Sequence, residues 1–189
     1  TSVSSDYKKE LQAVEYWLEK RKYYGIGEIG IDLYWDSTYI NEQKDAFRHQ
    51  IKLAKSNNLP IIIHLRNSFQ EVYEIVNEEQ NGTLKGIFHC FSGNESEAQQ
   101  VIDLGFLLGI GGVATFKNSN LNQVIEKIGL EHLVLETDSP YLSPVPKRGQ
   151  RNESSYLVYI AQKVAEIYKI PVEKVAGITT ANARNLFGI

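Results

Sequence analysis

Leu59-Pro60-Ile61-Ile62-Ile63-His64 is a short, continuously apolar run that ends in an imidazole. Such a run is the pattern of a parallel strand buried on both faces. An amphipathic stretch precedes it, from about 42 to 56, with Phe47, Ile51 and Ala54 on the inner face and Asn57-Asn58 as its end. Another follows over 68–80, where Phe69, Val72, Tyr73 and Val76 are spaced i, i+3, i+4, i+7. The alternation continues along the chain. Strands are expected at 25–30, 86–89, 106–110 and 132–136, and helices at 95–104, 120–128, 153–168, 171–178 and 180–187. Ser5 and Asp6 can cap a first helix with Leu11, Val14, Trp17 and Leu18 on one stripe. Five strands separated by helices, with no hairpin signal between them, predict a parallel α/β sheet. Asn81-Gly82 follows a helix and reads as its end.

A chain of 189 residues suits one domain, and 42% hydrophobic residues can build its core. The net charge of −3 argues against coating nucleic acid through bulk positive charge, although a local basic patch is compatible with it. The single cysteine, Cys90, cannot form an internal disulfide, so a reducing compartment, the cytoplasm, is expected. No apolar run reaches the ~20 residues of a membrane span, and Thr1-Ser2-Val3-Ser4-Ser5 lacks the regions of a signal peptide. The sequence contains no methionine, so it is expected to begin part-way through a longer protein.

Glu28, His64, His89 and Asp138 each fall at or just past the carboxyl end of an expected strand, where parallel α/β folds assemble their sites. Two imidazoles and two carboxylates suit Zn²⁺, Mn²⁺ or a related divalent ion, and a cation relieves the repulsion between gathered carboxylates. Taken singly, each has an ordinary explanation. A histidine ending an apolar strand can be a hydrogen-bonded core residue, Glu28 can accept loop amides, and Asp138 can cap the turn before Pro140. Four on four strands at one end favour the ligand reading. His132 starts its strand at the opposite end and is assigned to stability, and His49 lies mid-helix in solvent.

Arg66, two positions beyond His64, offers a guanidinium fork suited to phosphate oxygens. Lys147, Arg148 and Arg151 lie in the loop after Asp138 and are open to the same role or to simple solvation. Cys90 is expected to face away from His89 by strand alternation, as a small buried hydrophobe. Gly111-Gly112 is too little for a phosphate loop.

The segments Gly27-Glu28-Ile29-Gly30-Ile31-Asp32, Pro60 to Arg66, Phe88-His89-Cys90-Phe91-Ser92-Gly93 and Leu135-Glu136-Thr137-Asp138-Ser139-Pro140 occur in that order. With Pro144 to Glu153 and the final Asn182-Ala183-Arg184-Asn185-Leu186-Phe187, they resemble the TatD family of metal-dependent deoxyribonucleases, in the amidohydrolase superfamily. The resemblance covers nearly the whole chain, and it departs from the family pattern at Gln70, where an acidic residue is usual. It implies a TIM-barrel-type (β/α)₈ fold with a site for one or two divalent ions such as Zn, Mg or Mn. Glu28 would bridge the ions, His64 and His89 would serve one, and Asp138 would bind the other and handle the proton of water. Arg66 and Arg148 would meet substrate phosphate.

The family also opens with a His-x-His strand, which is not in this sequence. A barrel of this type needs about 250 residues. The expectation is therefore a single TatD-like domain over 1–189, N-terminally truncated, with about five of eight strands, able to associate with the segment it lacks. The expected activity is cleavage of DNA phosphodiesters, as a 3′–5′ exonuclease on single-stranded ends. Hydrolysis of an amide or small phosphoester, or a non-catalytic scaffold role, are the alternatives.

Overall fold

A computed structural model describes residues 3–34 and 36–189. The chain forms two compact units, one reaching to Ile87 and the other running from Phe88 to Phe187.

In the first unit, helix α1 (Tyr7–Lys20) leads into strand β1 (Ile26–Asp32), helix α2 (Ile40–Asn57), strand β2 (Ile61–Arg66) and helix α3 (Phe69–Glu79). β1 and β2 pair in parallel, with Gly30 opposite His64 and Asp32 opposite Arg66. Alternation along the two strands divides the work. Ile29, Ile31, Ile61 and Ile63 are fully buried against α2 and α3, whose Phe47, Ile51, Val72 and Val76 complete the core. Each such side chain contributes about 1.5–3 kcal/mol by leaving water. Ile62 and His64 are only partly covered, so β2 is not buried on both faces as its sequence implied. α2 ends at Asn58, which adopts the left-handed conformation at φ 52° and donates to the carbonyls of Ala54 and Lys55.

Strand β3 (Gly86–Phe88) carries the chain into the second unit. There follow helix α4 (Glu95–Asp103), strand β4 (Leu107–Ile110), helix α5 (Leu121–Lys127), strand β5 (Leu133–Leu135), helix α6 (Leu157–Tyr168) and helix α7 (Val172–Phe187). α4 begins with a capping box: the Asn94 side chain accepts from Glu97 N–H, and the Glu97 carboxylate accepts from Asn94 N–H. β4 and β5 pair in parallel, from Leu108–Leu133 to Ile110–Leu135. Their buried side chains pack with Phe88 and Phe106, whose rings meet edge to face at 5.6 Å, and with Ile160, Val164 and Val175 of the last two helices.

Several local expectations change. The two final helices are one, because Thr179, buried in the middle, turns its hydroxyl back onto the Val175 carbonyl at 2.9 Å instead of breaking the helix. Asp6 makes no side-chain cap on α1, and Trp17 is 49% exposed with the Arg21 guanidinium 5.0 Å from its ring. β3 stops at Phe88, so strand alternation does not govern Cys90; it lies in a turn at φ 47°, half-buried. His132 closes a 3-10 turn ahead of β5 rather than opening the strand. His49 is half-exposed and pairs with Glu15 of α1 at 2.7 Å. Gln70 donates to Glu74 at 2.8 Å, a local helix contact. Among the described residues, no helix is long and apolar enough to cross a membrane.

Candidate metal centre

The potential ligands form one group in each unit, and the groups are built alike. In the first, Glu28 does not end its strand. It stands at a register shift, because Gly27 pairs with Ile62 and Ile29 with the very next residue, Ile63. This is a bulge, and bulges re-aim the side chain that they leave unpaired. The Glu28 carboxylate lies 3.6 Å from His64 Nδ1. The other ring nitrogen, Nε2, lies 3.0 Å from Asp32 Oδ2. Asp32 Oδ1 in turn accepts the Tyr34 N–H at 2.9 Å.

In the second group, His89 and Cys90 sit on the turn after β3. His89 Nδ1 is 3.0 Å from Glu136 Oε2, and His89 Nε2 is 3.2 Å from Asp138 Oδ1. The Cys90 N–H donates to Glu136 Oε1 at 2.7 Å, so both oxygens of Glu136 are committed. Asp138 stands three residues beyond β5 in the left-handed region at φ 57°, a conformation in which Asp is enriched among non-glycine residues. Its loop is held by Asn152, 2% exposed, whose amide donates to the carbonyls of Thr137 (2.6 Å) and Tyr141 (2.5 Å).

Each imidazole thus lies between two carboxylates. Neutral histidine ligates through one nitrogen and donates from the other, and a carboxylate receiving that proton fixes tautomer and ring orientation. Asp32 and Glu136 are placed for that supporting role, leaving His64 Nδ1 with Glu28 and His89 Nε2 with Asp138 as nitrogen–oxygen pairs. Such donors fit a divalent ion of the zinc, manganese or magnesium kind. Asp32 and Glu136 are the residues that sequence reasoning left without a role. No sequence signal pairs either one with its histidine, since both contacts join residues distant in the chain.

The two arginines share a setting. The Arg66 guanidinium centres 3.6 Å from the Tyr34 ring, and that of Arg148 lies 3.9 Å from the Phe116 ring. Both side chains are exposed, and a guanidinium over a ring is held by the attraction between its charge and the ring's face. Arg151 is exposed, and Lys147 lies 5.5 Å over Tyr156.

The family model for TatD-related DNases matches residues 1–188. The chain belongs to this family. Relatives in the TatD-related family include one named uncharacterized metal-dependent hydrolase YabD, from Bacillus subtilis. It is 44% identical over 96% of this chain and 69% of its own length. Another, YcfH of Escherichia coli, carries the same description and is 34% identical over 87% of this chain and 62% of its own. The chain therefore spans about two thirds of the length of these TatD relatives. Among solved structures, the TatD homolog YJJV of Escherichia coli matches with a TM-score of 0.89 at 30% identity, over 95% of this chain and 70% of that one. A TatD family hydrolase from Entamoeba histolytica matches at 0.80 with 24% identity, which shows the fold. The fold class is the α/β barrel type of the TatD hydrolases, represented by five strands among the described residues.

Proposed function

We propose that the chain works in divalent-metal-dependent hydrolysis of DNA phosphodiesters, trimming single-stranded 3′ ends in a reducing, cytoplasmic setting. The observation that carries this reading is the pair of carboxylate–imidazole–carboxylate arrangements, in each of which both ring nitrogens lie within 3.6 Å of a carboxylate oxygen. Glu28, His64, His89 and Asp138 are the proposed ligands of one or two ions, Zn, Mg or Mn. A bound divalent ion supplies charge stabilisation at phosphate and acidifies water towards neutral pH.

The remaining chemistry belongs to the chain. Asp138 takes the proton of the attacking water, and the Glu28 carboxylate balances positive charge beside His64 Nδ1. Asp32 and Glu136 keep the two imidazoles in the ligating tautomer. Arg66 and Arg148 bind phosphate oxygens and orient the scissile bond, with Tyr34 and Phe116 holding the guanidinium planes. The family to which the chain belongs is described as DNases, while the relatives' own names say only metal-dependent hydrolase. Substrate class is therefore the finer part of the proposal.

The test is digestion of 3′-labelled single-stranded DNA by the 189-residue chain, and by the chain extended to its relatives' length, with and without chelator. Metal-restored cleavage is expected, and Arg66→Ala should raise KM for DNA with metal content unchanged. Metal binding without DNA cleavage, but with turnover of an amide or small phosphoester, would overturn the substrate assignment.

A further inference from the structure

Gln43 stands in the first turn of α2 and is 5% exposed, although it is a long polar side chain of a kind usually found in solvent. Both ends of its amide go to one residue. Gln43 Oε1 accepts the backbone N–H of Asp32 at 2.8 Å, and Gln43 Nε2 donates to the Asp32 carbonyl at 3.1 Å. A side-chain amide presents donor and acceptor much as a peptide group does, so Gln43 acts as a one-residue extension of the sheet at Asp32. Two part-buried hydrogen bonds fix the backbone of that residue, and with it the direction in which its Cα–Cβ bond leaves the strand.

The direction matters because Asp32 Oδ2 faces His64 Nε2 at 3.0 Å while His64 Nδ1 faces Glu28 at 3.6 Å. A proton held on Nε2 by Asp32 leaves the Nδ1 lone pair for a ligand on the Glu28 side. We infer that Gln43 is a positioning residue for His64: its clasp on the Asp32 backbone selects the Nε2–H tautomer and so sets the metal affinity of Nδ1. This rests on the reading of His64 as a ligand.

The experiment uses the 189-residue chain, ¹⁵N-labelled, with imidazole ¹⁵N–¹H spectra at alkaline pH without metal, followed by calorimetric Zn²⁺ titration. Gln43→Glu keeps length and acceptor but loses the donor to the Asp32 carbonyl. Gln43→Ala loses both contacts. Ile51→Val, a buried change elsewhere on α2, controls for lost stability. The expected result is a single Nε2–H tautomer for His64 in the parent and in Ile51→Val, with equal Zn²⁺ affinity. Gln43→Glu and Gln43→Ala should show mixed tautomers and about tenfold weaker Zn²⁺ binding, in the range of supporting-shell changes. Should Gln43→Ala fail to fold, Gln43→Glu decides. A folded Gln43→Glu with an unchanged tautomer and unchanged affinity, or a parent protein with Nδ1–H, would overturn the inference. Altered tautomers in the variants with no Zn²⁺ binding by the parent would instead overturn the ligand reading and with it the affinity part.

Discussion

Glu28 faces His64 from within a bulge: its carboxylate stands 3.6 Å from His64 Nδ1, although its neighbours Gly27 and Ile29 pair with consecutive residues of β2. β1 also approaches β2 closely at Gly30, which has φ +140° and sits opposite His64. A Cβ there would stand 1.9 Å from the His64 carbonyl oxygen. Neither that conformation nor that contact admits a side chain. Gly30→Ala should therefore cost about 3 kcal/mol in urea denaturation and displace His64. A variant of parental stability would mean that the two strands can separate locally at no cost.

Glu136 links the His89 ring to a backbone turn through its two oxygens, one on His89 and one on the Cys90 N–H. Glu136→Ala removes the oxygens that both of them contact. Metal affinity, measured by competition with a chelating dye, should fall by roughly 10- to 100-fold. Equal affinity would show that the His89 ring is oriented by packing alone.

Asn152 lies in the loop after Asp138 in sequence and ties Thr137 and Tyr141 together around it. Asn152→Ala leaves two carbonyls without their donor and should lower stability by about 3 kcal/mol. Asn152→Asp, of the same shape, turns an acceptor towards those carbonyls and should do at least as much harm. Urea melts of the two variants check the order.

Tyr168 donates its hydroxyl to the Ile128 carbonyl at 2.6 Å. Burial, reinforced by the Glu131 carboxylate, pushes its ionisation above the ordinary range near pH 10. The unfolded chain therefore loses this proton first as pH rises. The phenol's contribution is complete below about pH 10 and is lost progressively towards the folded-state value. Denaturation between about pH 9 and 11.5 should show stability falling more steeply in the parent than in Tyr168→Phe. At neutral pH that substitution should cost about 1 kcal/mol, the net worth of one hydrogen bond.

Much of this protein is written locally. Alternating apolar runs and amphipathic stretches specify five strands and their helices, since period and burial are properties of neighbouring residues. The four ordered segments around Glu28, His64, His89 and Asp138 likewise carry the family in their residue types and order. Boundaries were less legible. The sequence implies a helix break near Thr179, and only the packed structure shows its hydroxyl returning to Val175 within one helix.

Partnership was not legible at all. Nothing in the sequence says that Asp32 meets His64, that Glu136 meets His89, or that Gln43 spends both ends of its amide on Asp32. Sequence by itself determined which elements form and which residues can ligate, because those follow from side-chain chemistry and short-range periodicity. Only the tertiary structure decided which nitrogen of each imidazole faces which carboxylate. That choice depends on a carboxylate delivered by a bulge, a left-handed turn or a helix packed across the strand, and each is set by contacts between residues distant in the chain.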